Sequence, residues 1–165
     1  MPPPKQETET GILTTGIVVT IIEALKPSIN VLLALHGRKY LYVVVYQDRE
    51  PWMPLFSGAV GARDGEMPEK YGLIAEAKAK LSGRMRMNTA DALQTAAHML
   101  QTGDVLYQGG IYLSGLIVAA SGGPGALDEA IASMIAVNLR AHCQIIVGQQ
   151  RETIGTTGYW SLQEP

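Results

Sequence analysis

One cysteine, Cys143, in 165 residues excludes an intrachain disulfide and every multi-cysteine zinc or iron–sulfur site, and it points to a reducing compartment. Cys143 itself is expected to be a buried packing residue. Charge is scarce as well: charged residues make up 17% of the chain, for a formal net charge of -2. Of the 13 lysines and arginines only Arg84 and Arg86 begin to cluster, so no basic surface is available to displace counterions from a polyanion, and nucleic acid is excluded as a partner. No apolar run nears the roughly 18 residues of a membrane span: "GIVVTIIEAL" and "YLYVVVY" are both short. "MPPPKQETET" lacks the apolar centre of a secretion signal. The expected location is cytoplasmic, with no membrane partner.

Apolar content is what the chain does have. At 47% hydrophobic residues it can bury the core of a single domain. Residues 1–11 read as a disordered tail, 12–160 as the domain and 161–165 as a loose tail. Ile17, Ile21, Ala24 and Leu25 are spaced for one face of a helix over Thr14–Leu25, which Pro27 interrupts, and "SINVLLALHG" then makes a second helical piece. "RKYLYVVVYQ" and "WMPLFSG" around the turn "DREP" predict a hairpin. Pro68 opens a helix through Ser82 with Ile74, Ala77 and Leu81 as its buried stripe. Asn88 caps the next helix, which carries Asp91 in its first turn and Leu93, Ala96, Ala97 and Leu100 at core spacing, and ends at Gly103. "DVLY", the turn "QGG" and "IYLSGLIVAAS" predict a second hairpin. A helix follows from Ala126 to His142, burying Ile131, Met134 and Ile135, and "CQIIVG" and "TTGYW" read as strands. Hairpins stand where crossovers would otherwise be, which describes an α+β fold, an α-β-α sandwich around an antiparallel sheet of about five strands.

"SGGPGALDEAIA", residues 121–132, invites a test as a phosphate loop, because a helix N-terminus offers unpaired amides and a positive dipole end. It lacks GxxxxGK[ST], and Asp128 and Glu129 repel an anion from the site the dipole offers. Two readings of the acids stay open: they only stabilise the helix start, or they meet a cation or Lys78. Ser121 is no hydrolase nucleophile, since "AASGG" lacks the GxSxG elbow. Asp64, Glu66 and Glu69 fall within "RDGEMPE", a density that suits either a solvated loop or a weakly held hard cation such as iron or calcium, though not an EF-hand. Two readings of Lys78 stay open: it flanks the buried stripe and snorkels, or it faces a cavity and pairs with an acid or a ligand carboxylate. Arg84 and Arg86 read as surface residues able to meet a propionate-like anion. His36, His98 and His142 lie too far apart for a metal motif and suit helix C-termini. His98 leads them as an axial haem candidate.

Three segments together resemble the haem-binding or haem-degrading HbpS/GlcG-like family, which includes the C-terminal domain of PduO-type proteins. "AEAKAKLSGRMRMNTADAL" resembles its KAxTA helix and the capped helix after it, with Lys78 and Ala79 at the KA positions and Thr89 at the later threonine. Leu81 replaces the threonine of KAxTA, and Asn88 the proline of the cap. "TGDVLYQGGIYLSGLIVAASGG" resembles the glycine-rich hairpin ending in Ser121 and Gly122, although the usual Asp-x-Gly-Gly turn is absent. "LDEAIA" resembles the acid pair opening the last helix. The likeness spans residues 38–143. It implies a five-stranded antiparallel sheet flanked by helices, homo-oligomers from dimer to octamer, and haem or a related tetrapyrrole held between subunits against apolar walls by Lys78 or an arginine. Some members hold iron on E/D-x-x-E pairs, a spacing that Glu66 and Glu69 share.

The ligand-binding candidates are therefore Lys78, Arg84, Thr89, Gly109, Gly110, Ser121, Gly122, Asp128 and Glu129, with His98 for haem and Glu66 with Glu69 for a metal. Three readings compete: a small-ligand-binding protein of this family; an enzyme or accessory subunit acting on a small organic acid of a catabolic pathway; and an assembly subunit without chemistry.

Overall fold

The structure, a computed structural model, describes residues 11–50, 52–61 and 67–154. The Val- and Tyr-rich stretch forms β1 (Tyr40–Gln47), an apolar run without strict alternation because both of its faces are covered. It pairs antiparallel with β2 (Phe56–Gly61) on one side and β4 (Leu116–Ser121) on the other. β4 in turn pairs with β3 (Gly110–Leu113), giving the order β2-β1-β4-β3. Leu41, Val43 and Val45 face α1 (Thr15–Leu35) and α4 (Gly125–Ile154), whereas Val44 and Tyr46 face α2 (Glu69–Met85). The expected α-β-α sandwich is present with four strands among the described residues, one fewer than expected. "TTGYW" lies outside them.

Several elements differ from expectation. α1 runs unbroken through Pro27, because the ring is exposed and the carbonyl it leaves unbonded faces water. Val18, Ile22, Ile29 and Leu33 keep one buried stripe across it. The buried face is thus set one residue from the expected one: Ala24 is exposed, and Ile17, Ile21 and Leu25 pack only at the margin. "CQIIVG" continues α4 and is not a strand. Cys143 is half-buried at the edge of the core. Asp104–Tyr107 is not a strand, and the second hairpin turns at Ser114-Gly115, not at "QGG". Both turn residues have positive φ, 51° and 87°, as a two-residue turn matching strand twist requires. The helix after Asn88 stops at Thr95 and is followed by a short 3-10 turn, Ala97–Met99; Ala97 is exposed. Asn88 makes no side-chain cap; its Oδ1 accepts from the Tyr112 amide at 3.0 Å.

Continuity also changes length. α1, with 21 residues, and α4 are each long and apolar enough to cross a membrane by length and composition. The interruption expected at Pro27 is absent, and the continuous helix reaches that length. Here both pack on the sheet, α1 through the stripe above and α4 through Ile131, Ile135 and Leu139.

α2 is seated by Tyr46, whose hydroxyl donates to Glu76 Oε2 at 3.0 Å and whose ring lies 5.2 Å from that of Trp52. Burial, then the Glu76 contact, pushes the phenol from 10.0 up to about 12. A folded-state value above the unfolded one means that this contribution to stability is intact below pH 10 and lost as pH rises toward 12. Ultraviolet absorbance should show one tyrosine ionising last, and Tyr46→Phe should remove that step together with its share of the alkaline loss of stability.

Candidate functional site

α2 and α4 cover opposite faces of the sheet, yet one side chain from each meets the other past the end of β4. Lys78, 1% exposed, donates from Nζ to the Ala120 carbonyl at 2.7 Å and to Asp128 Oδ2 at 2.9 Å. Asp128, 2% exposed, sits in the first turn of α4 and accepts at Oδ1 from the Gly123 amide at 2.9 Å. Gly109 makes the crossing possible: with φ +119°, a Cβ there would stand 2.8 Å from both Lys78 Nζ and Asp128 Cβ.

Burial is the largest influence on both charges. It pushes the Lys78 ammonium down and the Asp128 carboxyl up, and their mutual attraction opposes both shifts. A carboxylate and a carbonyl are both acceptors, so Lys78 Nζ is engaged as a donor to both and is not a free amine nucleophile.

The pair floors a cavity of about 160 Å³. Tyr71 and Ile74 of α2 form one wall and the turn Ser121–Gly123 another, with Arg38 and Tyr107 at the rim. Arg38 is exposed and has no ion-pair partner among the described residues. Lys78 and Asp128 cancel, so Arg38 leaves this cavity one positive charge in excess. The repulsion of an anion expected from Asp128 and Glu129 is weakened here, because the Asp128 carboxylate pairs with Lys78 and accepts from the Gly123 amide while Glu129 lies off the lining.

Of the residues singled out in the sequence, the structure brings Lys78, Ser121, Gly122 and Asp128 to this cavity. Lys78 sits at the centre of the buried face of α2, not on its flank, since that face runs through Ala75, Lys78, Ala79 and Ser82; of the expected stripe Leu81 is buried, while Ile74 and Ala77 are half-buried. Gly109 and Gly110 are buried behind the cavity, where they make room for Lys78 and Ser82. Thr89 is buried there too, its Oγ1 accepting from the Gly110 amide at 3.0 Å. Arg84 pairs with Asp104 instead, Arg86 pairs with Asp48 at 3.1 Å, and Glu129 is half-buried off the lining. His98 lies exposed on the 3-10 turn, outside the cavity. Asp64 and Glu66 are outside the described residues, while Glu69 is exposed at the start of α2; no cluster of three metal-ligating side chains occurs among the described residues. Arg38, Tyr71 and Tyr107 were missed. Only "GRKY", a cation two residues ahead of a strong strand, signalled the first.

No family model and no curated protein sequence matches the chain. Among solved structures, the Ybr137w protein superposes with a TM-score of 0.59 at 11% identity, covering 78% of this chain and 80% of that one. The Klebsiella pneumoniae protein ORFY gives 0.54 at 14% identity, covering 78% and 91%. HbpS gives 0.50 at 21%, covering 85% and 94%. At these identities the likeness is one of fold, and the chain has the HbpS/GlcG-like fold.

Proposed function

We propose that the chain is a small-ligand-binding protein whose site is the Lys78–Asp128 cavity and whose ligand is a small organic carboxylate. Arg38 carries this reading: it is a guanidinium without an ion-pair partner among the described residues, at a cavity whose other two charges cancel. An arginine fork suits a carboxylate, and the Tyr71 and Tyr107 hydroxyls add donors. A volume of about 160 Å³ corresponds to roughly five waters, the size of a short acid. Lys78, engaged by Asp128 and the Ala120 carbonyl, favours binding over covalent chemistry.

The tetrapyrrole implied by the family resemblance exceeds this volume, since even drug-sized ligands take pockets of about 300–1,000 Å³. Haem therefore requires walls from a second copy. Homo-oligomerisation is part of the proposal, supported by exposed apolar residues on the outer faces of the two long helices: Val31 and Leu35 on α1, Val137 and Ile145 on α4.

Calorimetric titration with lactate, pyruvate and succinate should show binding by at least one, weakened on the order of tenfold or more in Arg38→Ala. No binding of any, or an unchanged affinity in the variant, overturns the small-acid reading. Haemin titration decides the larger ligand: a Soret shift at micromolar haemin supports it, and no shift removes it.

A further inference from the structure

The far end of the sheet holds a second cavity, of about 630 Å³, within the roughly 300–1,000 Å³ range of drug-sized ligand pockets. It opens between the end of β1, the β3–β4 turn and the second half of α4. Its lining is sorted by chemistry. Leu13, Leu113, Leu116 and Val147 supply an apolar floor. Arg49, just after β1, and Arg140 of α4 supply two cations at the wall, both exposed and without an ion-pair partner among the described residues. Asp48, the acid on the same wall, is already held by Arg86 Nε at 3.1 Å and by the Tyr112 hydroxyl at 2.8 Å. The cavity therefore carries net positive charge beside an apolar surface.

We propose that this cavity binds an apolar monocarboxylate of medium chain length, a fatty-acid-type ligand. Its alkyl chain covers the leucines and Val147, and its carboxylate meets Arg49 and Arg140. The charge excludes an organic cation, and the apolar floor disfavours a fully polar anion, which would leave that floor wet and its own remaining charges unpaired. A neutral alcohol of the same length gains the floor but not the arginines. The site is independent of the small-acid cavity. Asp128 and Arg140 are twelve residues apart on α4, about 18 Å at the rise of a helix, and no residue lines both cavities.

Cys143 provides a local reporter. It lines this cavity, three residues from Arg140 and four from Val147, and it is the chain's single cysteine. Alkylation by iodoacetamide, followed by mass spectrometry of the full chain, therefore reads the occupancy of this site alone. Decanoate below its micellar concentration should slow alkylation on the order of tenfold at saturation. Decanol and decyltrimethylammonium should protect far less. Arg49→Gln and Arg140→Gln, both at exposed positions, should each weaken decanoate protection on the order of tenfold, and Arg38→Ala should leave it unchanged. Three results overturn the proposal: no protection by decanoate, equal protection by decanol, or protection that follows protein concentration without ligand, which would assign the cavity to a second copy of the chain. Failure of the lactate, pyruvate and succinate titrations leaves this assay unaffected.

Discussion

Asp128→Ala lowers the free energy of unfolding by about 3–5 kcal/mol, the cost of stranding one member of a buried ion pair. The alanine removes one of the two acceptors of Lys78, leaving the ammonium with the Ala120 carbonyl in a site where it is 1% exposed. It also strips the Gly123 amide of its acceptor. Lys78→Met is the milder break, because Asp128 keeps the Gly123 amide and can neutralise itself by taking up a proton. Burial already pushes the Asp128 carboxyl above 3.8, and Lys78→Met removes the charge that opposes this rise. A folded-state value above the unfolded one gives stability that is present at low pH and lost as pH rises through the folded value. Lys78→Met should therefore regain stability on acidification, whereas Asp128→Ala should not. Replacing both, as Lys78→Met with Asp128→Leu, should recover most of the loss, because an apolar pair of similar size removes the desolvation cost along with the attraction. Urea unfolding with an unchanged slope is the measurement. An Asp128→Ala midpoint within error of the parent chain would show that the pair is not desolvated.

That pair marks the limit of what the sequence discloses. The sheet and its first hairpin were legible because "YLYVVVY" has no reading but a strand and because turn residues separate it from its partner; the second hairpin lies one strand later than expected, since both of its strands fall within "GIYLSGLIVAAS". The order of elements was legible for the same reason. The position of Lys78 was not, because the sequence of α2 allows two adjacent stripes, Ile74, Ala77 and Leu81, or Ala75, Lys78, Ala79 and Ser82, and of the first only Leu81 is fully buried. Only the docked helix decides between them, and it buries the stripe that contains the lysine. Pairing decides it physically, since Asp128 lies fifty residues away in sequence and makes burial of Lys78 tolerable. Pro27 and "CQIIVG" misled in the opposite sense, by local propensity. A proline on an exposed helix face costs one hydrogen bond that water can replace. A β-branched run stays helical when Leu139, Cys143 and Val147 continue one side of an established helix. Arg38 stayed hidden because an exposed arginine in a loop carries no pattern of its own. Its role comes from the cavity beneath it.

Gly109→Ala should be nearly as damaging as the loss of Asp128, and a second glycine separates its causes. Gly103 and Gly109 both have φ well inside the left-handed half of the map, +95° and +119°, where any Cβ is strained by about 1–3 kcal/mol. At Gly103 a Cβ meets nothing within 4 Å, so Gly103→Ala reports backbone strain alone. At Gly109 the same atom would stand 2.8 Å from Lys78 Nζ, 2.8 Å from Asp128 Cβ and 3.0 Å from the Ala120 carbonyl oxygen. None of these can yield cheaply. Lys78 is held by Ala120 and Asp128 together, and the Gly109 carbonyl accepts from the Ala120 amide at 2.9 Å, which fixes the glycine against β4. Overpacking of this kind adds about 1–3 kcal/mol, so Gly109→Ala should cost about 4 kcal/mol and Gly103→Ala about half as much. The excess must be taken up by moving Lys78 or Asp128, and calorimetry on the folded fraction should then find the small-acid affinity reduced in Gly109→Ala and unchanged in Gly103→Ala. Equal stability losses in the two variants would mean that Gly109 is needed only for its backbone angle and that Lys78 and Asp128 do not depend on the missing side chain.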